Sequence, residues 1–231
     1  MQERQWILFC SAQHIAITVI LNVKKTNMIN FNKIKRTKTK LLLTIITISL
    51  LTFTGCKMTV LKVFYGLKNP KTENEKSILK CAKKKELSQD NIYCFNQEDW
   101  IWAINNLSYA KSIPDIMVFD KNGNLLKYRE ESQCNAQAFS FLLSLTKESQ
   151  FEYDSLLVMK DLTTKLKDLK GNNVSITENE TTDYYVFLFW AVWIGRLNKD
   201  HVKEWENDAS NNTNCNIEVI KINMDMQEWW E

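Results

Sequence analysis

Nine consecutive residues, Tyr184 to Val192 (Tyr-Tyr-Val-Phe-Leu-Phe-Trp-Ala-Val), are apolar or aromatic without a break. A strand with one wet face alternates polar and apolar residues. An unbroken run reads instead as a strand covered on both faces, the situation in sheets flanked by helices on both sides. This stretch therefore demands two layers of helix from the rest of the chain.

The flanking sequence has the segments to supply them. Thr59 to Tyr65 is β-branched and aromatic and reads as a strand closed by Gly66. Thr72 to Glu75 fits a capping box for a helix running to about Leu87, with its lysine-rich side solvated. Asn91 to Phe95 reads as a short strand. A helix from about Glu98 to Tyr109 carries Trp100, Ile101, Ile104 and Leu107 at core-facing spacing. Ile116 to Phe119 reads as a buried strand, and Asp120-Lys121-Asn122-Gly123 as a hairpin turn, since Asn-Gly supplies the positive φ that tight turns need. Asn124 to Arg129 returns as the partner strand, followed by a helix from about Cys134 to Leu145. Residues 153–169 have leucines at 156, 162, 166 and 169 and lysines opposite, a helical period with Gly171 as its C-cap. Val174 to Thr177 reads as a short strand, Arg196 to Ala209 as a helix, and Ile217 to Ile222 as a last strand. The expected class is α/β, a mixed sheet with helices on both faces. Its parts would be a βαβαββα unit over 59–146 and a helix plus βαβ unit over 147–231. No Gly/Pro/Ser-rich linker separates them.

A different signal precedes this domain. From Met28, five basic residues (Lys33, Lys35, Arg36, Lys38, Lys40) lead into uncharged Leu41 to Phe53 and then Thr54-Gly55-Cys56. A basic start, a short apolar run and small residues at a cut site make a secretory signal. The apolar run of 13 residues is too short to span a hydrocarbon core of about 30 Å. The Thr-Gly-Cys ending resembles the lipobox of bacterial lipoproteins. That resemblance implies cleavage over 28–55, lipid on Cys56, and a mature chain over 56–231 held on the cell envelope. Residues 1–27 hold a second apolar patch, Trp6 to Leu21. Either translation starts at Met28 or the leader has two segments. Lys57-Met58-Thr59 has no acidic run resembling a surface-export signal, so the expected orientation faces the periplasm.

Charge then narrows the partners. The full chain has 30 basic and 27 acidic groups, but residues 1–55 hold eight of the former and one of the latter. The remainder sits near −4, with no evident basic face for a phosphate backbone, and nucleic acid is not an expected partner. Cys81, Cys94, Cys134 and Cys215 remain in the mature part, none in C-x-x-C spacing. Neither a zinc clip nor a local redox dithiol is written there, and disulfides between distant cysteines stay open.

Two stretches resemble the thioredoxin-like family, in particular its membrane-tethered thiol-disulfide oxidoreductases. One is Ile113-Pro114 entering Ile116 to Phe119 and the Asp120-to-Gly123 hairpin. In the family such a proline is cis, which makes Pro114 the expected cis-proline. The other is Val186 through Trp190 into Ala191-Val192-Trp193-Ile194-Gly195-Arg196-Leu197, similar to the central strand running into Trp-Cys-Gly-Pro-Cys. Ile217 to Asn223 with Asp225 resembles the next strand. At the active-site position, Trp193 to Leu197, Ile194 and Leu197 stand where the family has its cysteines. The family's chemistry needs a thiolate to attack and a second thiol to resolve.

Trp193 matches the family's exposed tryptophan, a partner contact or a packing residue. Trp190 and Trp205 read as core. Trp229 and Trp230 are a binding patch or a docked terminus. Cys134, at a helix start, is the residue for a one-cysteine redox role. Cys81 and Cys94 read as core and Cys215 as exposed. His201 and Glu204 offer two metal ligands at most, short of the three of a catalytic zinc site, so His201 reads as a surface residue and neither metal nor cofactor is expected. Two functions compete: a lipid-anchored, redox-inactive module binding another envelope protein, and a thiol-disulfide oxidoreductase or peroxidase-like enzyme using Cys134 or Cys94. A structural lipoprotein unrelated to thioredoxin is a third. Oligomeric state is not written in the sequence.

Overall fold

The computed structural model describes residues 62–107, 112–129, 135, 137–176 and 179–230. The leader, Cys56 and Cys134 lie outside them. Residues 58–231 form one unit. Its strands are β1 (Thr72–Glu73), β2 (Ile92–Phe95), β3 (Asp115–Asp120), β4 (Asn124–Leu126), β5 (Tyr153–Val158), β6 (Leu166–Lys167), β7 (Tyr184–Trp190), β8 (Ile217–Asn223) and β9 (Met226–Gln227). Its helices are α1 (Glu75–Lys84), α2 (Gln97–Asn106), α3 (Gln137–Ser144), α4 (Met159–Thr163) and α5 (Glu204–Asn211), the last entered through a π-turn over Asn198–Lys203.

Seven strands make one mixed sheet in the order β5-β4-β3-β7-β8-β2-β6, and β1 and β9 pair separately. The apolar run occupies the centre. All seven residues of β7 are buried, paired antiparallel with β3 and parallel with β8. Alternate side chains enter two cores. Val186, Leu188 and Trp190 join Ile78 of α1, Leu142 of α3 and Trp205 of α5. Phe187 and Phe189 join Ala103 of α2 and Leu162 of α4 on the other face. Each such side chain contributes about 1.5–3 kcal/mol through burial, which is why the strand has no polar residue to spare. The α/β class with helices on both faces is therefore as expected, and β7 and β8 lie between β2 and β3 in one continuous sheet.

Several local expectations are corrected. Residues 62–65 are helical rather than extended. Thr72 and Glu73 form β1, and α1 is capped one residue later. Asn74 accepts a hydrogen bond from Ser77 N at 3.0 Å and Ser77 Oγ accepts one from Asn74 N at 2.9 Å. The helix also ends at Lys84 rather than near Leu87. Ile101, on the expected core stripe of α2, is 47 % exposed, while Ala103 and Leu107 are buried.

The largest revision is 153–169, where no long helix forms. Tyr153–Val158 pairs with β4, and only Met159–Thr163 is helical before Leu166–Lys167 pairs with β2. Leu162, Leu166 and Leu169 are buried as their spacing suggests, but strand pairing sets the backbone. Gly171 caps no helix. With φ +90° it sits in a turn closed by Asn172 N donating to Asp168 Oδ1 at 2.8 Å, against the Trp229 ring. Val174 to Ile176 is irregular, with one bridge at Asn173.

Candidate functional site

The C-terminal end of β7 is where the sheet opens into loops. After Ala191, Val192–Ile194 makes one 3-10 turn, and Gly195 reverses the chain at φ +62°, ψ −119°. That backbone conformation is accessible essentially to glycine alone. Residues 65–68 cross this loop. Lys68 N donates to Trp193 O at 2.8 Å and Arg196 N donates to Tyr65 O at 2.7 Å. A Cβ on Gly195 would run into the Tyr65 and Gly66 carbonyl oxygens. The Arg196 guanidinium lies over the Phe64 ring, 5.5 Å from its centre.

A polar ladder holds the loop from below. Asn198 Nδ2 donates to Ala191 O at 2.7 Å, and Met224 N to Trp190 O at 2.8 Å. Val192 N donates to Asp225 Oδ2 at 2.7 Å, and Asn223 Nδ2 donates to the same oxygen at 2.8 Å. Gln227 Nε2 bridges Asn223 Oδ1 and Asp225 O at 3.1 and 2.7 Å. Asp225 is 3 % exposed, and its Oδ1 has no hydrogen-bond partner. A buried acceptor left unpaired costs about 1–3 kcal/mol. Burial pushes the Asp225 carboxyl up to about 6, against the pull of the Val192 and Trp193 amides and Asn223, and the Glu73 carboxylate raises it further.

Beside this ladder lies a cleft of about 410 Å³ lined by Pro70, Trp100, Ile104, Ser112, Ile113, Trp193, Met224, Asp225 and Met226. Trp100 is fixed by its Nε1 donating to Met224 O at 3.0 Å and by contact with the Trp230 ring, whose own Nε1 donates to Phe95 O. Opposite, the Ile113–Pro114 peptide bond is cis and leads into Asp115. Arg129 holds that aspartate in a buried pair at 3.0 and 3.3 Å, and burial still pushes Asp115 up to about 6. Trp193 and Ile113, 80 residues apart in the chain, thus line one cleft, with Ile194 fully buried behind it and Leu197 half-buried.

No described cysteine lines this cleft. Cys81, Cys94 and Cys215 carry free thiols. Cys94 is fully buried, its thiol pushed up to about 12 by burial. Cys215, expected to be exposed, is 5 % exposed with a thiol pushed up to about 11, because its loop folds back and Sγ donates to Leu145 O. Cys81 is half-buried and also raised, chiefly by burial. A thiol held so high supplies little thiolate at neutral pH, which speaks against Cys94 as a displaced nucleophile.

His201 is also corrected from a surface residue. Its ring is packed on Phe139 and Trp205, and burial pulls its pKa down. Trp190 and Trp205 are fully buried. Trp229 and Trp230 are half-buried in a terminal turn docked on Gly171 and β2. Among the described residues no group of three or more potential ligands clusters for a metal, and no helix is long and apolar enough to cross a membrane. Sequence reasoning missed the roles of Trp100, Met224 and Met226 as cleft wall. The alternation Asn223-x-Asp225-x-Gln227, three polar residues at a strand end, was the available signal. Comparison with known families, curated proteins and solved structures gives no match.

Proposed function

We propose that this chain is a lipid-anchored protein of a bacterial cell envelope, facing the periplasm, whose α/β unit is a thioredoxin-like module without its dithiol. On this reading the module binds another envelope protein through the cleft beside Trp193. The observation that carries it is the meeting of the two resembling stretches. They lie on neighbouring strands, β3 and β7, and their ends, Ile113 and Trp193, line one apolar cleft. The Trp193-to-Leu197 loop of that site contains no sulfur. An aromatic, apolar cleft with few polar groups suits a protein or peptide contact. No described residue lining it carries a thiol for exchange.

The test uses the full chain from membranes. Mass spectrometry of the mature N-terminus should find an acylated Cys56. Alkylation of the native protein at pH 8 should leave Cys94 and Cys215 unmodified until denaturant is added, and insulin reduction should show no turnover. An unmodified Cys56 rules out the lipid anchor. Turnover of insulin, or an oxidised or cross-linked Cys134, rules out the redox-inactive module and restores the enzyme.

A further inference from the structure

The cleft is more specific than its apolar lining suggests. Trp100 and Trp193 supply two indole walls, and Ile104, Ile113 and Met226 supply aliphatic surface. Asp225 adds a carboxylate that is 3 % exposed and has one oxygen without a hydrogen-bond partner. Among the described residues no cation is paired with Asp225. Glu73 on β1, whose carboxylate acts on Asp225, is itself 3 % exposed and takes Lys71 at 3.4 Å. A purely apolar occupant would use the walls but leave the buried carboxylate without a counter-charge. A basic side chain uses both features. Its alkyl stem lies along the apolar wall, its cation faces the indole rings, and its charge offsets the Asp225 carboxylate.

We infer that the cleft receives an arginine or lysine side chain presented by an extended segment of the partner protein, with Asp225 as the counter-charge and Trp100 and Trp193 as its walls. Met226, 37 % exposed, is an unbranched side chain that adjusts to a guest. The inference deepens the reading of the cleft as a partner site and rests on it.

The experiment labels the full chain in detergent micelles with 5-fluorotryptophan. The ¹⁹F signals of Trp100 and Trp193 are assigned by substituting each with Phe. The probes are N-acetylated, C-amidated Ser-Gly-X-Gly-Ser peptides with X as arginine, norleucine or glutamate. The arginine peptide should shift both signals saturably, about tenfold tighter than norleucine, with glutamate silent. Asp225→Asn should remove that preference. Because that variant could disturb the ladder, the unsubstituted protein is also titrated from pH 7 to pH 5, where binding should weaken as the carboxylate protonates. Glu73, Lys71 and the Cys81 thiol are the other titratable groups facing it or its neighbour, and Glu73→Gln should preserve the preference. Equal binding of norleucine and arginine, no change in Asp225→Asn or with pH, or no shift at either tryptophan overturns the inference. Photocrosslinking in membranes from a reactive residue replacing Ile104 separates the two claims. Capture of an envelope protein alongside silent peptides overturns the basic-residue assignment alone, whereas insulin turnover overturns the underlying reading.

Discussion

Gly195 shows how much of the site depends on one missing methyl group. Its φ of +62° and ψ of −119° already exclude an ordinary side chain, and the space a Cβ needs is filled by the Tyr65 and Gly66 carbonyls. Gly195→Ala should therefore destabilise the unit by about 2 kcal/mol or more. It should also expose residues 62–68 to protease before global unfolding, measured by thermal melts and limited trypsin digestion. Unchanged melting together with an unchanged digestion pattern would show that the segment does not depend on the glycine. The sequence placed a glycine at the right position of a recognisable motif, but its neighbour was not legible there, because Tyr65 and Gly66 precede it by about 130 residues.

Elements were legible wherever a local rule decided them. β7 follows from its unbroken apolar run, and the β3–β4 hairpin from Asn122-Gly123, whose glycine takes φ +77°. α1 follows from its cap, although the cap is Asn74 and not Thr72. The reciprocal Asn74–Ser77 bonds satisfy two otherwise orphaned amides. Asn74→Ala should lower stability by about 1 kcal/mol, read as a drop in melting temperature. Asn74→Asp keeps the cap but sets a second carboxylate against Glu228, which Asn74 Nδ2 now meets at 3.0 Å, and should fall between Asn74→Ala and the unsubstituted protein. Elements fixed by distant partners were not legible. Residues 153–158 become a strand because β4 offers them an edge, and β1 exists because Met226 and Gln227 lie alongside Thr72 and Glu73. The cleft is of this second kind. Its walls come from the loop before β1, α2, the loop before β3, the loop after β7, the turn after β8 and the start of β9, so no window of sequence contains it.

For the molecule as a whole, the candidate site carries a cost that depends on pH. Asp225 holds its proton up to about pH 6 when folded, against an ordinary value of 3.8. Between these values the folded chain binds the extra proton, so this group destabilises the fold at neutral pH and stability recovers as pH falls through 6. Asp115, also raised to about 6, acts in the same direction. His201, lowered by burial, and Glu206, lowered by Lys221 and Lys203, act in the opposite direction as pH falls. The signature of Asp225 is therefore a difference. Relative to Asp225→Asn, the unsubstituted protein should gain on the order of 2 kcal/mol between pH 7 and pH 4, read from denaturant curves at each pH. Parallel curves would show that the carboxyl titrates normally.

The two backbone bonds from Tyr65 and Lys68 to the Trp193–Arg196 loop carry a geometric corollary. Tyr65 is nine residues from Cys56, a contour of at most about 30 Å. If Cys56 carries the proposed lipid, Tyr65 stays within that contour of the point of attachment. The proposed anchor would then leave a short tether, and a partner segment close to the bilayer is the kind to expect.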